Sequence, residues 1–116
     1  MINYYYKLAK NILFPLNRSI TGNDTRKTLE IIKKEFPKLQ IKNFKSGSKV
    51  FDWKVPPEWN VKEAYVVDKE NKKIIDFKNN NLHLLGYSVP IKKRVSKKDL
   101  LKNINFFKKQ PNAIPY

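Results

Sequence analysis

Apolar and polar positions recur with two different periods along this chain. Over residues 3–14, Tyr5, Leu8 and Ile12 fall at helical spacing while Lys7 and Lys10 lie off the stripe, which predicts an amphipathic helix. Pro15 ends it, because the residue before a proline is pushed out of the helical region. Residues 16–22 read as a turn-rich connection, with Gly22 free to take a positive φ. Leu29, Ile32 and Phe36 then share one face of a second helix over residues 25–36. Asp24 is its expected cap, Lys33 and Lys34 suit the negative end of its dipole, and Pro37 closes it. Two short helices on a tight connection predict a helical hairpin whose apolar stripe needs something to pack against.

After residue 39 the period drops toward two. Strands are expected over residues 40–45, 49–55, 63–68, 72–77 and 82–87. Ser46-Gly47-Ser48, Pro56-Pro57, a polar turn and Asn79-Asn80-Asn81 break them. Residues 63–68 and 72–77 make the clearest hairpin. The β-rich unit from Val50 to Tyr87 holds both tryptophans and organises the rest. After Pro90, Ser96 is expected to cap a helix over residues 97–103, with Asp99 at its third position and Leu100, Leu101 and Ile104 as its apolar side. Residues 110–116, ending Ile114-Pro115-Tyr116, read as an extended, proline-punctuated linker. The fold class is α+β: an N-terminal helical hairpin beside a small, mainly antiparallel β-sheet domain, with a short C-terminal helix.

Composition narrows the function more than the fold. With 116 residues and 41% hydrophobic content, a core is possible but thin, since small domains bury a smaller share of their surface. The absence of cysteine excludes disulfides and thiolate metal sites and fits a reducing compartment. No apolar run reaches signal or membrane-spanning length, so a cytoplasmic location without a membrane partner is the expectation. The net charge of +15 invites a polyanion reading. Of the 25 basic residues, however, only Arg18, Arg26 and Arg94 carry the guanidinium fork that phosphate and base recognition favours. The lysines are spread evenly among 13 asparagines and 11 isoleucines, the composition of an AT-rich coding sequence. Specific nucleic-acid recognition is therefore not expected. A lysine-rich polyanion- or glycan-binding module around residues 51–59 is the alternative function, resting on salt-sensitive attraction.

Catalytic chemistry is sparse. His83 is the single histidine, set in a strand pattern between Leu82 and Leu84. It reads as a strand residue rather than a metal ligand, because a metal needs clustered donors. No nucleophile-elbow sequence surrounds Ser46, Ser48 or Ser88. Asp52 and Glu58 flank the Trp53–Trp59 segment and Asp76 precedes Phe77. Among so many bases each reads first as an ion-pair or turn partner, with Asp52, held between two aromatics, the one worth testing. Phe51, Trp53, Lys54, Trp59 and Tyr65 could stack nucleobases or sugars, although filling a core or an interface is the plainer role. Gly22, Gly47 and Gly86 are too far apart for a phosphate loop. No catalytic or metal residue is assigned. Asp52, Trp53, Trp59, His83 and Tyr87 form the candidate interface or binding surface.

Several motifs resemble a known family. Leu13-Phe14-Pro15-Leu16-Asn17-Arg18-Ser19-Ile20-Thr21-Gly22, followed by Arg26-Lys27-Thr28-Leu29, is similar to the opening of bacterial aminopeptidase-like proteins. Their zinc-aminopeptidase-like domain carries an inserted β-rich domain of unknown function. The run from Ser46 to Trp59 resembles the start of that insert, and Asp76 to His83 and Gln110 to Tyr116 resemble its later signatures. The resemblance implies that residues 1–37 correspond to the start of the peptidase domain and residues 38–116 to the insert with its return linker. It also implies that zinc ligands and the catalytic carboxylate lie downstream of the matched region. This chain would then hold no cofactor itself, zinc belonging to the full-length family, and would be inactive alone. The expected function is a non-catalytic accessory part of an aminopeptidase-like protein. Its partner would be the remainder of that domain, or a second copy in a homo-oligomer.

Overall fold

The computed structural model describes residues 1–113. Helix α1 (Ile2–Leu8) runs into a wider π turn, Ala9–Leu13, that ends before Pro15. Helix α2 (Asn23–Glu35) follows the connection. The Tyr4 hydroxyl donates to Glu35 Oε1 at 2.7 Å, so the start of α1 lies beside the end of α2, in the antiparallel sense of a helical hairpin. The cap of α2 differs from expectation. Gly22, not Asp24, occupies the N-cap position. The Asp24 carboxylate instead accepts from Asn17 N at 2.9 Å, tying down the connection, while Asn60 Oδ1, far away in sequence, accepts from Asn23 N at 2.7 Å. A helix end that could have been closed locally is closed by tertiary structure.

The strands are shorter than the pattern suggests and form two separate antiparallel pairs. Strands β1 (Lys49–Val50) and β2 (Trp53–Lys54) are the halves of a tight hairpin within what reads as one strand over 49–55. Phe51, at the turn, has φ 52°, a conformation that costs a non-glycine residue about 1–2 kcal/mol and that no phenylalanine advertises in sequence. Strands β3 (Tyr65–Val67) and β4 (Lys73–Asp76) make the expected hairpin, with a register shift between Val66 and Val67. Its turn is built by Asp68, whose carboxylate accepts from Glu70 N at 3.0 Å and Lys72 N at 2.9 Å. The segment 40–45 has no partner strand.

Residues 82–87 do not form a strand either. Asn80 Oδ1 accepts from Leu82 N at 3.0 Å and starts a 3₁₀ turn at Asn81–His83. Tyr87 then takes φ 60°. Local bonds from asparagine side chains compete with the ladder, and without a waiting strand edge they win. Helix α3 (Lys97–Leu101) is capped as expected: Ser96 Oγ accepts from Asp99 N at 3.1 Å and donates to the Asp99 carboxylate at 2.7 Å. Residues 107–113 turn rather than extend, with Gln110 N bonded to Phe107 O and Ala113 N to Gln110 O. The rest of the expected linker, Ile114-Pro115-Tyr116, lies outside the described residues. The whole remains α+β.

Burial is minimal. Among the described residues only Gly22, Thr28 and Val55 are buried. The accessible surface is 10941 Å², against about 6,600 Å² for a compact protein of this mass. The radius of gyration is 17.8 Å, where a compact chain of this length has about 13 Å. In hydrogen exchange on the isolated chain, Val55, Trp59 and Arg26 should hold the slowest amides. Residues 2–13, a short helix without a covering partner, should exchange within about tenfold of unstructured rates. Equal protection of both regions in a monomer would overturn this reading of the packing.

Candidate functional site

Three stretches, residues 19–26, 57–60 and 87–88, meet in a joint. Trp59 N donates to Thr21 O at 3.2 Å, and Ser19 Oγ donates to Trp59 O at 3.2 Å. Thr21 Oγ1 donates to Pro57 O at 3.2 Å and lies 3.3 Å from the Tyr87 hydroxyl. The Trp59 indole stacks on Tyr87, with centroids 5.9 Å apart and planes at 27°, and donates from Nε1 to Ser88 O at 2.9 Å. Gly22 must be glycine here: a Cβ would meet Trp59 O at 2.6 Å, and its φ is +156°.

Arg26 closes the joint with a two-nitrogen clasp on Glu58. Its Nη1 bonds Oε1, and its Nη2 reaches Oε2 at 2.8 Å and Asn23 Oδ1 at 2.5 Å. The Arg26 guanidinium holds the Glu58 carboxyl below the usual carboxylate range, against a smaller opposing effect of desolvation.

Of the five candidate surface residues, the structure brings Trp59 and Tyr87 together. Asp52 sits exposed in the β1–β2 turn beside Phe51, and Trp53 is half exposed on β2. His83 is exposed in the 3₁₀ turn, its Nδ1 3.4 Å from Asp76 O. Among the described residues the aromatic contacts are Tyr4 with Tyr5 and Trp59 with Tyr87. Phe51, Trp53 and Tyr65 therefore do not assemble into a stacked platform, and Tyr65 instead carries Lys73 Nζ 4.3 Å from its ring centroid. Glu58 and Asp76 are each held in an ion pair, Glu58 by Arg26 and Asp76 by Lys73 Nζ at 2.8 Å, with Lys78 N also donating to Asp76 at 3.0 Å. The Lys73 ammonium first, then the Lys78 amide, lower the Asp76 pKa.

No group of three His, Cys, Asp or Glu side chains is placed to hold a metal among the described residues. No helix among the described residues is long and apolar enough to cross a membrane.

Beside the joint lies an open groove of about 1150 Å³, between residues 14–18, the segment 75–86 and residues 103–105. Asn81 pins its two main walls together, donating to Phe14 O at 2.9 Å and Leu16 O at 3.3 Å. Sequence reading missed Asn60, Asn81 and the Arg26–Glu58 clasp. Each acts between segments far apart in the chain, and asparagine in a loop gives no sign of which distant backbone it will meet.

A family profile described as "Domain of unknown function (DUF2172)" matches residues 58–116, just over half the chain. The chain belongs to the DUF2172 family. This DUF2172 chain is 51% identical over 104 residues to a Clostridium acetobutylicum protein whose name assigns it to polysaccharide biosynthesis and to an aminopeptidase-like domain. The match covers 90% of this chain and 24% of that protein. A crystal structure at 2.37 Å of a Clostridium acetobutylicum protein described as a peptidase superposes with a TM-score of 0.86 at 48% identity. That superposition covers 93% of this chain and 25% of the other. The chain thus spans about a quarter of the length of the relatives it matches, and the resemblance to aminopeptidase-like proteins read from its motifs is borne out.

Glu58 has its pKa lowered on folding, so its stabilising effect is fully present above the unfolded carboxylate pKa and is lost as pH falls through the lower, folded value. In a Trp53→Phe background, Trp59 emission should shift to the red on acidification below about pH 4. Glu58→Gln should remove that acid step. Gly22→Ala should give the red-shifted spectrum already at neutral pH, while Gly86→Ala, where a Cβ meets open space, should not. An unchanged spectrum in Gly22→Ala would contradict the packing described.

Proposed function

We propose that this chain is a non-catalytic, accessory part of an aminopeptidase-like protein, built to be covered by the rest of that protein. In this reading residues 1–37 correspond to the start of the peptidase part and residues 38–116 to the inserted part. Zinc chemistry belongs to the remainder. The observation that carries the reading is the surface. Large apolar side chains from Ile2 to Phe107 lie open, Phe14 at 62% and Leu85 at 82% among them. With only Gly22, Thr28 and Val55 buried among the described residues, so many open apolar side chains favour a chain covered by a partner. The accessible surface exceeds that of a compact protein of this mass by roughly 4,000 Å², which leaves ample area for one side of an obligate interface. The coverage of about a quarter of each relative supports the same conclusion.

The donor set agrees with the assignment of roles. The chain has a single, exposed histidine, and among the described residues no three His, Cys, Asp or Glu side chains cluster as a metal that activates water would need. The joint supplies what an accessory part needs instead, a fixed angle between the helical segment and the β segment.

Isothermal titration of the isolated chain with zinc should give no stoichiometric uptake, and the chain should not cleave aminoacyl chromogenic substrates. Placed in the Clostridium protein in exchange for the matching quarter, it should melt in one cooperative transition. Stoichiometric zinc binding or hydrolysis by the chain alone would sink the proposal.

A further inference from the structure

The groove beside the joint has a lining that selects its occupant. Its walls are open and mix apolar side chains, with Phe14 62%, Leu82 64% and Leu85 82% exposed, with six asparagines. Its charged members are Arg18, Lys78 and His83, and no Asp or Glu lines it. Arg18 donates from Nη1 to Leu13 O at 2.6 Å. Among the described residues no carboxylate lies within ion-pair distance of it. A guanidinium without an acid, beside an apolar wall, is complementary to a carboxylate set in an apolar surface.

We infer that this groove is the seat of the remaining body of the aminopeptidase-like protein, and that the segment filling it brings a carboxylate to Arg18 among apolar side chains. The inference rests on the function proposed above and specifies the face through which it is exercised. Three observations choose this occupant. Some three quarters of each relative lies outside the matched region, so a body large enough to fill the groove exists in the same polypeptide. At about 1150 Å³ the groove is wider than the roughly 300–1,000 Å³ of small-molecule sites, which also enclose their ligands. A second copy of this chain would bring another +15 of charge to a cationic groove, which electrostatics opposes.

The chain contains no cysteine, so single cysteines report the groove without background from it. Leu82→Cys sits on the groove wall, and Phe51→Cys sits in the β1–β2 turn outside it. Each is placed in the isolated chain and in the Clostridium protein carrying this chain in place of its matching quarter, and maleimide labelling is read at that residue by mass spectrometry. In the isolated chain both should label fast. In the full-length chimera, Leu82→Cys should slow by at least about tenfold, as expected for a site opened only by local unfolding, while Phe51→Cys stays fast. Arg18→Glu should restore fast labelling at Leu82→Cys, and Arg18→Lys should leave it slow. If residues 2–13 gain hydrogen-exchange protection in the chimera but Leu82→Cys still labels fast, the covering body sits elsewhere and the groove assignment fails alone. If neither changes, the accessory reading fails with it. Slow labelling that appears only on adding a soluble acidic peptide would make the groove a peptide site and overturn the assignment.

Discussion

The architecture depends on the junction where Trp59 meets Thr21, Gly22 and Tyr87. Its bonds are mostly backbone to backbone or side chain to backbone. Such bonds specify position more than they supply net stability, since each replaces a bond to water. The arrangement suits an element that must hold two segments at a set angle without a core of its own. Gly22 is the point of least tolerance, because the backbone of Trp59 occupies the space a side chain would need.

Around this junction the molecule is mostly surface. An isolated helix of seven residues such as α1 has little reason to persist in water, and two-stranded hairpins are marginal by themselves. Their coexistence with wide apolar exposure is the signature of segments whose stabilising contacts lie in another part of a larger fold. The same logic explains the strain. Tyr87 holds a positive φ, and a local conformation of that cost persists where surrounding structure over-determines it. For Tyr87 the surrounding structure is visible in the ring of Trp59 and the hydroxyl of Thr21.

Electrostatics plays a local part despite the large net charge. Among the described residues three of the four ion pairs are exposed on both sides, and such pairs contribute little singly. The clasp of Arg26 on Glu58 matters through its position, spanning the two segments that the junction joins. Arg18, by contrast, has a neutral backbone partner and, among the described residues, no acid within ion-pair distance.

The sequence by itself determined what depends on neighbours within a few residues. The α2 stripe with its basic end, the Ser96–Asp99 cap and the β3–β4 hairpin with its polar turn were all legible, because each is written in adjacent side chains and backbone. Motif resemblance also reached the right family, since it reads the same local strings. What only the tertiary structure decided is Asn60 rather than Asp24 at the start of α2, a 3₁₀ turn reaching Leu82 and His83 where a strand over residues 82–87 was expected, and a hairpin hidden inside residues 49–55. Strand periodicity marks a willingness to pair but cannot supply the partner edge. An asparagine amide fits many backbones until the fold presents one of them.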